Sequence, residues 1–78
     1  ANFKRLAVGR ESLALVVEIY RVTSRFPRAE AFGLVPQMRR SASSVLFNLA
    51  EGCGRESDAE LRRLAAIARG SVHELEAL

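Results

Sequence analysis

Apolar residues recur at the spacing of an α-helix in three stretches of this chain, and linkers containing proline or glycine separate them. The pattern predicts helices over about 2–24, 35–51 and 58–78, and no segment reads as a strand. With 78 residues, the chain has room for one small domain. The sequence therefore predicts an all-α fold in a single helical-bundle domain, residues 1–78.

The first predicted helix is apolar on two sides. One row includes Leu13 and Val17, and a second row includes Ile19 and Val22. A narrow stripe of charged residues repeats every seven positions: Lys4, Glu11, Glu18 and Arg25. A domain this small must bury both apolar rows. We expect one row to face the bundle and the other to meet a further helix, from this chain or from a neighbour.

Proline, glycine and capping residues mark the ends of the predicted helices. Pro27 disfavours helical backbone in the residue before it and so ends the first helix. Gly33 is expected to adopt the left-handed conformation that closes the connector. Gly52-Cys53-Gly54 is predicted to break the second helix. Ser57 and Glu60 then have the spacing of a capping box, which predicts the start of the third helix.

Small and polar residues line one side of the second helix and recur in the third. The stripe Gln37, Ser41, Ser44, Asn48 and Glu51 either faces water or forms a hydrogen-bonded seam between helices. Gly70 and Ser71 favour close approach of a partner helix. We assign structural or assembly roles to Gln37, Ser44, Asn48, Glu51, Gly52, Ser57, Glu60, Gly70 and Ser71.

The residues that usually carry chemistry are few. One cysteine, Cys53, and one histidine, His73, can form neither an internal disulfide nor a structural metal site. Neither residue has the partners of a nucleophile–base pair. We therefore expect no catalytic residues, metal, cofactor or enzymatic activity.

Several features bear on location and completeness. The lone cysteine favours a reducing, cytoplasmic setting. The longest apolar run, Leu13–Val17, is too short to span a membrane. No secretory signal pattern is present, and the chain starts at Ala1 and stops at Leu78 without a helix-stop signal. We expect it to be a piece of a longer protein.

Arginine supplies eleven of the twelve basic residues, and the net charge is +3 with a pI near 10.0. Its planar fork of donors suits phosphate, although a GC-rich genome also enriches arginine. The candidates for contact with an RNA or DNA backbone are Arg39, Arg40, Arg55, Arg62 and Arg63. Adjacent residues differ by about 100° around a helix, so one arginine of each pair is expected to face solvent. Ion pairing within the fold, with Glu60 or Glu30, is the alternative at each position.

The aromatic residues give no sign of base stacking. Phe3, Tyr20, Phe26, Phe32 and Phe47 are expected to be packing residues. Any nucleic-acid binding should therefore be directed at the backbone, sensitive to salt and poor in sequence preference.

An ordered set of short motifs covers nearly the whole chain. It reads FP..E..GL..Q.RR...S...N.AEG.GR.S from Phe26 to Ser57 and closes with IA.GS..ELE from Ile67 to Glu76. This succession resembles the bacterial 23S ribosomal RNA intervening-sequence protein family. Gly9 departs from it where a large aromatic is usual, and Val35 departs where a Ser or Thr cap is usual.

The resemblance implies an up-and-down antiparallel four-helix bundle that assembles into a homopentamer. This chain would carry three of the helices and lack the fourth. The family is similar in fold to the accessory variability determinant proteins of diversity-generating retroelements, which bind a reverse transcriptase and nucleic acid. Two functions are thus open: an oligomeric scaffold that binds nucleic acid or a ribonucleoprotein, or a protein–protein interaction adaptor whose basic charge is incidental.

Overall fold

Three helices form the molecule in a computed structural model that describes residues 3–51 and 54–77, without the side chains of residues 3–6, 8, 50, 54 and 55. The helices are α1 (Phe3–Thr23), α2 (Leu34–Ala50) and α3 (Gly54–Ala77), and a 3-10 turn covers Arg28–Glu30. Within the described residues no strand occurs, so the predicted all-α class is confirmed. None of these helices has the length and hydropathy needed to cross a bilayer.

Each helix packs against both of the others in an elongated bundle of 48 × 22 × 17 Å. A connection of ten residues joins α1 to α2, and α3 returns alongside α1. Helices α1 and α3 run parallel, because Glu11 and Glu18 pair in the same order with Arg62 and Arg69. The arrangement is up-down-up.

The core consists of two apolar clusters stacked along the bundle. The first contains Val16, Ile19, Ala42, Leu61, Leu64 and Ala65. The second, nearer the α1–α2 connection, contains Val22, Met38, Ala68 and Val72, with Phe26 packed against it. Of the two apolar rows on α1, the row of Ile19 and Val22 enters this core. Alanines in α2 and α3 let the helices approach closely, which keeps so small a core dense.

Two predicted boundary features are wrong. Helix α3 starts at Gly54, so Ser57 lies inside its first turn and does not cap it. The Glu60 carboxylate instead accepts hydrogen bonds from Arg63. Gly33 has φ −114°, which is not left-handed, and it is the N-cap residue of α2 without a side-chain capping bond. Gly52 and Cys53, in the predicted break, lie outside the described residues.

Candidate nucleic-acid interface

Arg39 is used by the fold itself. Its Nε donates to Thr23 Oγ1 over 3.0 Å, and its Nη2 donates to the Tyr20 carbonyl over 3.1 Å. Its guanidinium carbon lies 4.7 Å from the centroid of the Tyr20 ring, in cation–π geometry. The buried Thr23 hydroxyl in turn donates a hydrogen bond to the Ile19 carbonyl over 2.6 Å. Arg39 thus donates to the Tyr20 carbonyl and the Thr23 hydroxyl near the end of α1 and joins α2 to that helix.

Arg62 and Arg63 both have carboxylate partners. Arg62 pairs with Glu11 across the bundle, and its Nε donates to Asp58 Oδ2 over 3.1 Å. Arg63 Nε donates to Glu60 Oε2 over 2.9 Å within α3. This hydrogen bond lowers the pKa of the Glu60 carboxyl below its ordinary value and raises the pKa of Arg63. Both arginines of this pair are exposed to solvent, and both also have the carboxylate partner that was the alternative to nucleic-acid contact.

Arg40 differs from its neighbour Arg39. Its side chain is exposed and makes no ion pair in the part of the chain that the structure describes. The same holds for Arg10, Arg21 and Arg28. The side chain of Arg55 lies outside the described residues. Of the five arginines named from the sequence, the structure therefore leaves only Arg40 displayed and without a described partner.

Sequence reasoning passed over Arg21 and Arg28. Arg28 and Arg40 have no acid three or four positions away, whereas Arg62 and Arg63 do. Arg21 has Glu18 three positions before it, but that carboxylate pairs with Arg69. A search for acids one turn away would thus have found Arg28 and Arg40, while Arg21 needed the tertiary structure.

Basic charge is concentrated around the connection between α1 and α2. Residues 20–40 contain five arginines and one glutamate, a net +4 that exceeds the +3 of the whole chain. We call this segment the basic end. Within it Arg25 pairs with Glu76 and Arg39 is held by α1, so Arg21, Arg28 and Arg40 remain. The surplus of basic charge in this segment favours the approach of a polyanion, and the acid that α3 brings to the same end, Glu76, pairs with Arg25.

Two aromatic predictions are wrong. Phe32 is 93% exposed and Phe47 is 64% exposed, so neither is a packing residue within this chain. Phe26 is half-buried against the second core cluster, as expected, and Tyr20 lies beneath the Arg39 guanidinium. The side chain of Phe3 lies outside the described residues.

The apolar row of α1 that includes Leu13 and Val17 stays on the surface. Leu13 is 55% exposed, Val17 57% and Tyr20 42%, and the three lie on one side of the helix at spacings of four and three. A Cβ placed on Gly9, which continues this row, would meet nothing within 4 Å. The structure thus has an exposed apolar strip on α1, as a helix that is apolar on two sides requires in a three-helix bundle.

The polar stripe of α2 faces outward in this chain. Gln37, Ser44, Asn48 and Glu51 are exposed, and Ser41 is half-buried. Their side chains make no hydrogen bond to a described residue. Of the two interpretations, this arrangement agrees with solvation in the single chain and leaves a seam to a second chain as the remaining assembly role. Gly70 is exposed and Ser71 is half-buried on α3.

His73 lies on an open, shallow depression along one helix. The depression is lined by Arg69, Gly70, His73, Glu74 and Ala77, all on α3. Among residues 3–51 and 54–77, no group of three or more His, Cys, Asp or Glu is placed to hold a metal ion. Exposed side chains on a single helix do not enclose a substrate.

A comparison with protein families identifies the family of this chain. A family model described as 23S rRNA-intervening sequence protein matches residues 4–78. The chain belongs to this family. No curated protein and no solved structure gives a significant match to it. The name 23S rRNA-intervening sequence protein states no binding activity, so a function for this member has to be argued from its own surface.

Proposed function

We propose that this protein is a non-enzymatic, homo-oligomeric scaffold that binds nucleic acid or a ribonucleoprotein through arginines at the basic end. The observation that carries the proposal is the exposure of Arg21, Arg28 and Arg40 without a carboxylate partner in the described structure. An arginine already neutralised by a carboxylate attracts phosphate less strongly. The three arginines at the basic end that have no described carboxylate partner therefore attract phosphate more strongly than the paired arginines do.

Self-association supports this role by multiplying weak contacts. Leu13, Val17 and Tyr20 form an exposed apolar strip on α1. A second chain that covered it would bring several basic ends into one particle. Their phosphate contacts would then act together, since linked sites raise the effective local concentration of one another.

The family resemblance supplies the finer form of the assembly. A four-helix bundle and a ring of five copies are what it implies, and both belong to the proposal. A fourth helix and a neighbouring subunit are competing occupants for the strip on α1. Light scattering coupled to size exclusion distinguishes a discrete oligomer from a monomer, and Leu13→Glu with Val17→Glu should dissociate an oligomer that uses the strip.

The experiment for binding compares two triple variants with equal net charge. Arg21, Arg28 and Arg40 are replaced by glutamine in one, and Arg62, Arg63 and Arg69 in the other. Each lowers the net charge from +3 to zero. Affinity for a mixed-sequence RNA is measured by fluorescence anisotropy over a series of salt concentrations. We expect the basic-end variant to lose at least about tenfold in affinity, and its salt slope to fall by about 2.

The outcomes separate the two functions left open by the sequence. Equal losses in both variants would show that net charge alone, not the basic end, attracts the RNA. An oligomer that ignores RNA but captures a protein at fixed stoichiometry would establish the adaptor instead. Turnover of a substrate that disappears in His73→Ala would contradict the non-enzymatic part of the proposal.

A further inference from the structure

Phe32 is an exposed residue in an ordered turn. The Ala31 N–H donates to the Arg28 carbonyl over 3.1 Å, and the Gly33 N–H donates to the Glu30 carbonyl over 3.4 Å. Helix α2 begins directly after the turn, at Leu34. The backbone on both sides of Phe32 is thus hydrogen-bonded, and yet its side chain is 93% exposed. Leaving a phenyl ring in water forgoes the favourable burial that most phenylalanines obtain.

The surroundings of this ring are basic. Arg28 lies four positions before it, and Arg40 lies in the second turn of α2, roughly 9 Å along the helix axis from Leu34. The only acid in residues 20–40 is Glu30, which is half-buried. An exposed aromatic and two arginines without described partners therefore occupy the same end of the bundle.

Exposure of a phenylalanine does not by itself indicate a stacking site, and Phe47 serves as the comparison. It is 64% exposed on α2, about one turn before that helix ends at Ala50. Its neighbours on the exposed surface are Ser43, Ser44 and Asn48, none of them basic. Within α2, the arginine on the same side as Phe47 is Arg40, two turns before it, whereas Phe32 has Arg28 four positions before it in addition to Arg40.

We propose that Phe32, with Arg28 and Arg40, forms a binding site for single-stranded nucleic acid. A base stacks on the phenyl ring, and the guanidinium groups hold the phosphates on either side of that base. Duplex bases are already stacked on one another and present only their edges, so a duplex meets the arginines but not the ring. This inference rests on the proposed nucleic-acid function and adds to it the class of ligand and a stacking residue.

The first test compares Phe32→Ala with the matched control Phe47→Ala. Both rings are exposed, so neither change opens the core. Affinity is measured for a single-stranded RNA, a single-stranded DNA of the same sequence and the corresponding RNA duplex. We expect Phe32→Ala to lose about tenfold for single strands and less than twofold for the duplex. Phe47→Ala should change neither, and a preference between the two single strands would report contact with the 2′-hydroxyl.

A second test observes the stacking directly. The chain contains no tryptophan, so Phe32→Trp introduces a single indole fluorophore. Stacking of a base on the indole should quench its fluorescence when single strands are added, with affinity equal to or above that of the unaltered protein. Phe47→Trp supplies the matched signal from the other end of α2 and should not be quenched.

Different experimental results would contradict this inference and the proposed function. If the unaltered protein binds single strands and duplex equally, and Phe32→Ala changes nothing, the stacking site is wrong while the basic scaffold stands. If no salt-sensitive binding occurs at all, both are wrong. If Phe32→Ala instead alters the oligomeric state or the capture of a protein partner, the ring contacts protein and the inference is overturned.

Discussion

The flank where α1 meets α3 and the basic end, residues 20–40, use the same residue type in opposite ways. Along the flank, three ion pairs join the helices at a constant separation of 51 positions: Glu11–Arg62, Glu18–Arg69 and Arg25–Glu76. At the basic end, Arg21, Arg28 and Arg40 have no such partner in the described chain. Whether an arginine stabilises the fold or is available to a ligand thus depends on an acceptor within reach, which is a carboxylate along the flank and the Thr23 hydroxyl and Tyr20 carbonyl for Arg39.

The ion pairs on the flank also specify register. A slip of α3 by one heptad in one direction would set Glu18 against Glu76, and a slip in the other would set Arg25 against Arg69. The reversal of sign in the third pair therefore disfavours both slips. Each pair is about half-exposed and adds little stability by itself, so its larger effect is on alignment.

Arg39 and Arg40 allow the sharpest test of the comparison. We expect Arg39→Ala to lower the free energy of unfolding by about 2 kcal/mol, because two charge-assisted hydrogen bonds and the contact with Tyr20 are lost. Arg40→Ala should change it by less than about 0.5 kcal/mol. Urea denaturation measures both, and Arg39→Lys should recover only part of the loss. Similar values for the two alanine variants would mean that Arg39 is not held as described.

Removing carboxylates from the flank should leave its arginines without partners, as at the basic end, and so make them available to RNA. Glu11→Gln with Glu18→Gln frees Arg62 from one partner and Arg69 from its partner. We expect the free energy of unfolding to fall by about 1 kcal/mol at low salt and RNA affinity to rise about threefold.

The control for this change removes two exposed acids that make no ion pair in the described chain. Glu56→Gln with Glu74→Gln also raises the net charge from +3 to +5. Its stability should stay within about 0.5 kcal/mol of the unaltered protein. If both double variants gain affinity equally and lose no stability, the pairs on the flank do not restrain their arginines.

The smallest expected effect concerns the pair within α3. Arg63 lowers the pKa of Glu60, so the folded state favours the ionised carboxylate. That stabilisation is fully present above the ordinary pKa of an unfolded glutamate and is lost as the pH falls through the lower folded value. The Tm difference between the protein and Glu60→Gln should therefore be seen at about pH 6 and disappear at about pH 3. A difference that grows on acidification would contradict this sign.

The sequence predicted α1 and α2 closely but misplaced the start of α3. Helical spacing and Pro27 set the end of α1 within a residue or two. The Ser57–Glu60 spacing suggested a cap, yet Gly54 is already helical, because glycine only weakens a helix by about 1 kcal/mol and packing of α3 against two partners outweighs that. Local signals fail where tertiary contacts extend a helix.

The candidate interface was predicted less well than the fold. Arg39 and Arg40 are alike in sequence, and only the position of α1 beside α2 decides which of them is held. Phe32 was predicted to be a packing residue, but its side chain is 93% exposed, and helical periodicity says nothing about a residue in a turn.

By itself, the sequence determined the helical class, the two linkers, the net positive charge and the presence of two apolar rows on α1, since all of these follow from periodicity and composition. The tertiary structure decided which row is buried, which arginines acquire carboxylates and which aromatic stands in solvent. Most of those outcomes depend on contacts between residues as much as 51 positions apart, whereas the pairs of Arg62 with Asp58 and of Arg63 with Glu60 lie within one turn of α3. Burial and ion pairing are properties of the assembled helices.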